Sequence, residues 1–200
     1  MKTIVLGGFL GSGKTTVLLQ LAKYLTKQPG DPQVVILENE IGEVGVDNQM
    51  LGGSAMAVEN VFSGCICCSG AVDLQEAVRT IKEQYDPAWL LIEATGVALP
   101  SSIRDTLENA FGIDAATLTI ADASRWTRIK RVSPDFSVAQ VQDADIVLLT
   151  KIDKLKDGSL EEIEADIRKC SPAASVYPVC ALRPISENIF KELMEDAGEE

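Results

Sequence analysis

Residues 8–15 read GFLGSGKT, in which glycines precede a lysine and a hydroxyl residue at the spacing of a phosphate-binding loop. Glycines let the backbone curve so that successive N–H groups point at phosphate oxygens. The lysine then reaches the β- and γ-phosphates, and the hydroxyl binds Mg²⁺. Apolar patterning predicts a strand before this loop and a helix after it. We therefore expect one set of residues to contact a nucleoside triphosphate: Gly8, Gly11, Ser12, Gly13, Lys14, Thr15 and Thr16.

A second motif, EATG at residues 93–96, follows the apolar run 89–92. At the end of a strand, the Glu93 carboxylate would hold Mg²⁺ together with Thr15, and the Gly96 amide would contact the γ-phosphate. Loss of that phosphate would release Gly96 and the residues after it, which is a switch of the order–disorder type. Lys14, Glu93 and Gly96 are therefore the candidate catalytic residues, and the sequence identifies no residue that orients the attacking water.

A third motif, TKID at residues 150–153, follows the apolar run 146–149 and has the form of a guanine-recognition motif. Asp153 can accept hydrogen bonds from guanine N1–H and its exocyclic amine, a donor pair that adenine lacks. The stem of Lys151 can cover the base plane, whereas Thr150 lacks the carboxamide usual at its position. The amide of Ala181, after the last predicted strand, could bind guanine O6. These residues predict GTP as the nucleotide.

Three of the five cysteines lie within four positions, at Cys65, Cys67 and Cys68. Thiolates suit Zn²⁺ and related ions, but a closed tetrahedral site needs four donors, and the chain contains no histidine. Water, a second copy of the chain or a carboxylate could complete the set. Such an incomplete site suits metal transfer. Buried structural thiols and a redox pair are the alternatives. The carboxylates that could serve are Glu38, Glu40 and Glu43.

Strand-like and helix-like runs alternate along the 200 residues, which predicts a three-layer α/β domain with a mainly parallel central sheet flanked by helices. We expect a single domain over residues 1–196 and an acidic tail over 197–200. Residues 39–64 contain no long periodic element and are expected to form a connection with a hydrophobic side. The predicted strands are 3–6, 34–37, 89–92, 116–121, 146–149 and 175–179, and the predicted helices are 14–27, 71–84, 101–110, 160–169 and 186–196.

A net charge of −12 argues against nucleic acid or an anionic membrane as the main partner. No apolar run reaches the roughly 18 residues of a membrane span, and no signal-peptide pattern opens the chain. We therefore expect a cytoplasmic protein, in which cysteines are reduced thiols or metal ligands rather than disulfides. Cys170 and Cys180, which lie apart from the cluster, are expected to be small buried residues.

In combination and order, the motifs GFLGSGKTT, ENEIGEVGVD, GCICCS, EATG and TKID resemble those of the CobW-like metal-centre GTPases, relatives of the UreG and HypB maturation proteins. The resemblance implies slow GTP hydrolysis and delivery of a divalent transition metal to a client protein. Zn²⁺ is the first candidate, and Co²⁺, Fe²⁺ and Ni²⁺ are others. It further implies that residues 38–68 are the first switch and that a nucleotide-dependent homodimer forms. The metal-associated positions it assigns here are Glu38, Cys65, Cys67 and Cys68.

Two features depart from the family pattern. The chain ends near the end of the GTPase domain, so we expect the family's C-terminal domain to be absent. Residues 121–126 read ADASRW, where many relatives carry a histidine. Three other functions stay open: a GTPase chaperone that gates loading of a cofactor such as a corrinoid, a phosphotransferase with a small-molecule acceptor, and a thiol redox sensor.

Overall fold

The computed structural model describes residues 1–27, 33–38, 56–60, 71–155 and 159–198, with the backbone alone for 56–60 and 71–73. Several residues predicted to bind metal lie outside these ranges: Glu40, Glu43, Cys65, Cys67 and Cys68.

Seven parallel strands form one sheet in the order β3-β2-β4-β1-β5-β6-β7. Most of these strands are continuous apolar runs, which is typical of strands covered by helices on both faces. Neighbouring side chains therefore enter opposite cores: Ile4 and Leu6 pack on one face, and Val5 packs on the other. The strands are β1 Lys2–Gly7, β2 Val34–Glu38, β3 Met56–Asn60, β4 Trp89–Glu93, β5 Ala115–Asp122, β6 Ile146–Thr150 and β7 Ser175–Pro178.

Helices cover both faces of the sheet, as predicted for a three-layer domain. Side chains of α1 and α7 fill the core on one face, while those of α2, α3 and α6 fill the cores on the other. The helices are α1 Lys14–Leu25, α2 Ala71–Gln84, α3 Pro100–Phe111, α4 Trp126–Val132, α5 Pro134–Val141, α6 Leu160–Cys170 and α7 Glu187–Asp196, with a short 3-10 helix at Ile152–Lys154. Within the described ranges, no helix is long and apolar enough to cross a bilayer.

Three elements were not anticipated. Strand β3 lies inside the segment 39–64, for which no long periodic element and no strand were predicted, and its five residues pair with β2 at the edge of the sheet. Helices α4 and α5 are seven and eight residues long and meet at Pro134. Elements this short carry too few turns or alternations to produce a periodic pattern, so packing against the domain selects them.

Candidate nucleotide-binding site

The predicted nucleotide motifs meet at one edge of the sheet because they follow the carboxyl ends of parallel strands. The phosphate loop follows β1, EATG begins at the last residue of β4, and TKID begins at the last residue of β6. Strand β1 lies between β4 and β5, and β6 pairs with the other side of β5. Topology therefore brings sequence positions as far apart as 15 and 93 into contact.

Residues 8–13 wrap tightly above β1 and β5. Gly8 has a φ of +129°, and a Cβ built on it would lie 2.1 Å from the carbonyl oxygen of Ile120. No other residue type fits this position without moving the backbone of β5. Lys14 is buried, and its Nζ donates to the carbonyl oxygens of Gly8, at 3.1 Å, and Phe9, at 3.4 Å. The predicted phosphate-binding lysine thus lies inside the loop.

The two residues predicted to bind Mg²⁺ are in contact. The Thr15 hydroxyl donates to Glu93 Oε1 at 3.1 Å, so a hydroxyl oxygen and a carboxylate oxygen, both hard ligands, lie side by side. Gly96 is close to the loop as well, because a Cβ built on it would lie 2.6 Å from the backbone nitrogen of Leu10. The Thr15 hydroxyl and the Glu93 carboxylate therefore fit Mg²⁺ as ligands. Because Gly96 lies against Leu10, movement of Gly96 would displace the phosphate loop.

Thr150 joins the base-recognition motif to the phosphate loop. Its buried hydroxyl donates to the carbonyl oxygen of Ser12 at 2.7 Å and to that of Ala121 at 3.3 Å. The missing carboxamide is thus replaced by a hydroxyl that positions the loop. Lys151, in a left-handed conformation with a φ of +58°, donates from Nζ to the carbonyl oxygen of Gly11.

Asp122, at the end of β5, accepts hydrogen bonds that the sequence analysis did not anticipate. Its carboxylate receives Lys151 Nζ at 2.7 Å, Arg125 Nε at 2.7 Å and the Ser124 hydroxyl at 2.6 Å. Burial raises the pKa of Asp122, but these hydrogen bonds, that from Lys151 foremost, outweigh burial and hold the pKa below its ordinary value. Arg125 Nη2 also donates to the carbonyl oxygen of Leu10 at 3.0 Å. Asp122 therefore anchors Lys151 and Arg125, the two cations that hold the phosphate loop. Its position at the end of an apolar run is the feature of the sequence that could have identified it as a site residue.

Asp153 is exposed beside the loop that follows β7. The Cys180 thiol donates to Asp153 Oδ1 at 3.4 Å, which brings the segment containing Ala181 next to the predicted base-binding carboxylate. Cys180 and Cys170 were expected to be buried, yet both are partly exposed. Gln20 of α1 holds the same loop: its Nε2 donates to the carbonyl oxygen of Ala181 at 2.8 Å, and its Oε1 accepts from the amide of Ile185 at 2.9 Å.

Glu38, the one candidate metal ligand within the described residues, lies at the end of β2. It is buried, and its register partner on the adjacent strand β4 is Glu93. Neighbouring strands lie about 4.8 Å apart, so the predicted transition-metal carboxylate and the predicted Mg²⁺ carboxylate occupy adjacent backbone positions. In the part of the chain that the structure describes, no three potential metal ligands form a cluster.

Residues 2–178 match the family described as "CobW/HypB/UreG, nucleotide-binding domain". The chain belongs to this family. It is a nucleotide-binding domain with a parallel α/β sheet, and both the predicted resemblance and the predicted α/β fold are confirmed. This CobW/HypB/UreG domain is 35% identical over 167 residues to the zinc chaperone YeiR of Escherichia coli, covering 82% of the chain and 50% of YeiR. It is 34% identical over 188 residues to the zinc chaperone YjiA of the same organism, covering 88% of the chain and 56% of YjiA.

Among solved structures, the domain resembles the hydrogenase maturation factor HypB from Archaeoglobus fulgidus. The TM-score is 0.71 at 15% identity, over 99% of this chain and 91% of HypB. The shared fold supports the placement of the strands and loops described above. The CobW/HypB/UreG domain spans about half the length of the curated relatives that it matches.

Proposed function

We propose that this domain binds GTP with Mg²⁺, hydrolyses it slowly, and uses the cycle to bind a transition metal and release it to a client protein. One observation supports the proposal that the domain binds GTP with Mg²⁺. The strand ends bring Thr15, Glu93 and Gly96 together at the phosphate loop, while Thr150 ties the base-recognition motif to that loop. The reduced thiols that metal binding requires place the proposed activity in the cytoplasm.

Hydrolysis would depend on positioning and charge stabilisation. Lys14 and Mg²⁺, held by Thr15 and Glu93, would neutralise charge that develops on the transferred phosphoryl group. Gly96 packs against Leu10, so contact of its amide with the γ-phosphate would draw the segment after β4 toward the loop. Hydrolysis would remove that contact and let the segment relax, which would make the cycle a conformational timer.

Guanine selectivity would come from residues around Asp153. Its carboxylate would accept from guanine N1–H and the exocyclic amine, and the Ala181 amide would donate to guanine O6. The Cys180 contact and the Gln20 clamp support this arrangement because they hold the Ala181 loop beside Asp153. The stem of Lys151 would lie over the base plane. An adenine base would leave the carboxylate without its two donors, at a cost of about 1–3 kcal/mol.

The proposed cargo is Zn²⁺, with Co²⁺, Fe²⁺ and Ni²⁺ as further candidates. YeiR and YjiA are named zinc chaperones, and the cysteine motif offers the soft ligands that such ions prefer. The position of Glu38 beside Glu93 supports coupling, because one acidic strand end would serve the cargo and the next would serve Mg²⁺. The proposed ligands are Glu38, Cys65, Cys67 and Cys68, with Glu40 and Glu43 as further candidates.

Two exposed apolar residues support a nucleotide-dependent homodimer. Leu10, at the tip of the phosphate loop, is 81% exposed, and Val97, next to Gly96, is 62% exposed. Exposed apolar side chains close together are a feature of protein interfaces. Because both residues flank the expected γ-phosphate, pairing through them would depend on GTP.

Metal affinity in two nucleotide states tests the proposal. Zn²⁺ binding is measured anaerobically by competition with a chromophoric chelator, with the protein loaded with a non-hydrolysable GTP analogue or with GDP. We expect a difference of roughly 5- to 150-fold between the two states, the usual range of coupling between sites. The C67S/C68S variant should lose Zn²⁺ binding, and C170S, which changes a cysteine remote in sequence, should retain it.

Equal Zn²⁺ affinity in the two nucleotide states would contradict the coupling. In the same protein we expect phosphate release from GTP but not from ATP, and no stimulation of that release by a small-molecule acceptor. This result would exclude a phosphotransferase. A C67S/C68S variant that still activates its client would support the alternative, a GTPase that gates cofactor loading without transferring metal itself. Reversible disulfide formation without metal binding would instead support the redox sensor.

A further inference from the structure

Helix α4 carries an unusual concentration of positive charge for this chain. Four cations lie within residues 125–131, whereas the whole chain has a net charge of −12. The helix turns Trp126 into the core, and Lys130 pairs with Asp166 at 2.7 Å. On the other side, Arg128 and Arg131 are exposed, and Val132 is 77% exposed. Because residues three and four apart share a face of a helix, these three side chains form one surface, here called the basic ridge.

The two arginines of the basic ridge have no partner among the residues that the structure describes. Ion pairs hold the other two cations of this stretch, Arg125 with Asp122 and Lys130 with Asp166. Neither Arg128 nor Arg131 takes part in any described ion pair or side-chain hydrogen bond. Unpaired arginines next to an exposed apolar side chain match the composition of a protein interface, in which arginine is enriched.

Three contacts connect this region to the nucleotide loops. Arg125, which precedes α4, donates to the carbonyl oxygen of Leu10 at 3.0 Å. The Phe136 ring of α5 packs edge-on against the Phe9 ring at 5.5 Å between centroids. Gln140 of α5, which is buried, donates from Nε2 to the carbonyl oxygen of Ala98 at 2.7 Å. Helix α5 therefore contacts both the phosphate loop and the segment that follows EATG, and Arg125, which caps the start of α4, contacts the phosphate loop.

We propose that the basic ridge docks an acidic segment of the client protein, in which carboxylates pair with Arg128 and Arg131 and an apolar side chain covers Val132. Charge complementarity identifies the occupant, because the ridge is a positive surface on a strongly negative chain. Helix α5 contacts Phe9 and Ala98, and Ser133 joins α5 directly to α4, so a change at either contact would reach the basic ridge and docking strength would follow the bound nucleotide. The identity of the partner as a client and the nucleotide dependence rest on the proposed function, whereas the docking of an acidic segment does not.

The experiment uses a fluorescein-labelled peptide of twelve residues with alternating acidic and leucine positions, titrated with the protein and followed by fluorescence anisotropy. We expect R128E/R131E to weaken binding by about tenfold or more, because two attractive contacts become repulsive. R79E/K82E is the matched control, because it makes the same charge change at the same spacing on exposed positions of α2. The control should change the Kd by less than about twofold.

Nucleotide coupling is read from the same titration with a GTP analogue or GDP bound. We expect different Kd values in the two states, and we expect Q140L to remove the difference while leaving basic-ridge binding intact. Equal loss of binding in R128E/R131E and R79E/K82E, or no binding by the native chain, would overturn the docking proposal. So would dissociation of a homodimer by R128E/R131E, since a second copy would then occupy the ridge. R128E/R131E should retain GTP hydrolysis and Zn²⁺ binding, which separates failure of docking from failure of the proposed function.

Discussion

At the scale of single residues, two polar side chains do most to join the motifs. The Thr150 hydroxyl bonds the phosphate loop at Ser12, and Asp122 holds the two cations that bond Gly11 and Leu10. Each is almost completely buried, so each acts through hydrogen bonds that water does not replace. Asp153, by contrast, is exposed and available to a base.

Replacing Asp153 with asparagine should exchange the base preference. The D153N variant offers a donor where guanine also offers a donor, so we expect GTP affinity to fall about 10- to 100-fold, the equivalent of about 1–3 kcal/mol. Xanthine has a carbonyl in place of the exocyclic amine, so xanthosine triphosphate should gain affinity. Calorimetric titration with both nucleotides measures the exchange. D105N, at an exposed position of α3, should behave as the unaltered chain, and a D153N variant with unchanged GTP affinity would rule out the assigned role.

Replacing Asp122 with asparagine should change how stability depends on pH. Hydrogen bonds hold the pKa of Asp122 below its value of about 3.9 in an unfolded chain, so the carboxylate stabilises the fold above that pH. The contribution is lost as pH falls through the folded-state pKa. We expect D122N to reduce the free energy of unfolding by about 1–3 kcal/mol at pH 7. Its stability should also decline less steeply on acidification below about pH 4. Urea titrations from pH 7 to pH 3 measure both, and parallel curves for the two proteins would contradict this role.

At the scale of elements, α1 serves both ends of the nucleotide. Its first residues, Lys14 and Thr15, belong to the phosphate site, and Gln20, more than one turn later, holds the loop after β7. One rigid helix therefore sets the distance between the phosphate site and the predicted base site. Helix α5, on the opposite face of the sheet, likewise joins two loops of the site, because it contacts Phe9 of the phosphate loop and Ala98 of the segment after EATG.

Removing the Gln20 side chain should loosen base recognition without altering the phosphate site. Q20A deletes the hydrogen bonds to Ala181 and Ile185, each worth about 1 kcal/mol, so we expect a loss of about 1–2 kcal/mol in stability. The preference for GDP over ADP should shrink in parallel, because the Ala181 amide is no longer held beside the base. Urea denaturation and nucleotide competition measure the two effects. K23A, at an exposed position further along α1, is the control, and an unchanged base preference in Q20A would refute the prediction.

At the scale of the whole molecule, charge and exposed apolar residues mark two separate surfaces, one proposed for a second copy of the chain and one proposed for the client. The chain carries a net charge of −12, which opposes self-association at long range, so a dimer must depend on close apolar contact. Leu10 and Val97 offer such contact at the phosphate end, while the basic ridge offers positive charge at α4.

A charge at Val97 should abolish the proposed nucleotide-dependent dimer. V97E places a carboxylate beside the expected γ-phosphate and within the apolar contact, and both effects oppose pairing. Sedimentation velocity should show dimers of the unaltered chain with a GTP analogue and monomers with GDP, and monomers of V97E in both states. V132E makes the same change at an exposed valine of the basic ridge and should still dimerise. A dimer that forms equally with GDP would contradict the proposal.

The sequence by itself determined the family, the alternation of most strands and helices, and the positions of the nucleotide motifs along the chain. These properties depend on local spacing: a glycine-rich loop between a strand and a helix, acids at strand ends, and apolar runs long enough to be buried. The strand within the segment 39–64 was harder to predict, because β3 is a short edge strand that is specified by its pairing with β2, about twenty residues earlier in the chain.

Only the tertiary structure decided through which atoms the motifs contact one another and which further residues join them. The register of β2 against β4 sets Glu38 beside Glu93, and the placement of β5 next to β1 brings Asp122, Arg125 and α5 to the phosphate loop. The reason is physical: a parallel sheet aligns strand ends that are remote in sequence, and buried polar groups must then find partners among the neighbours that the sheet provides.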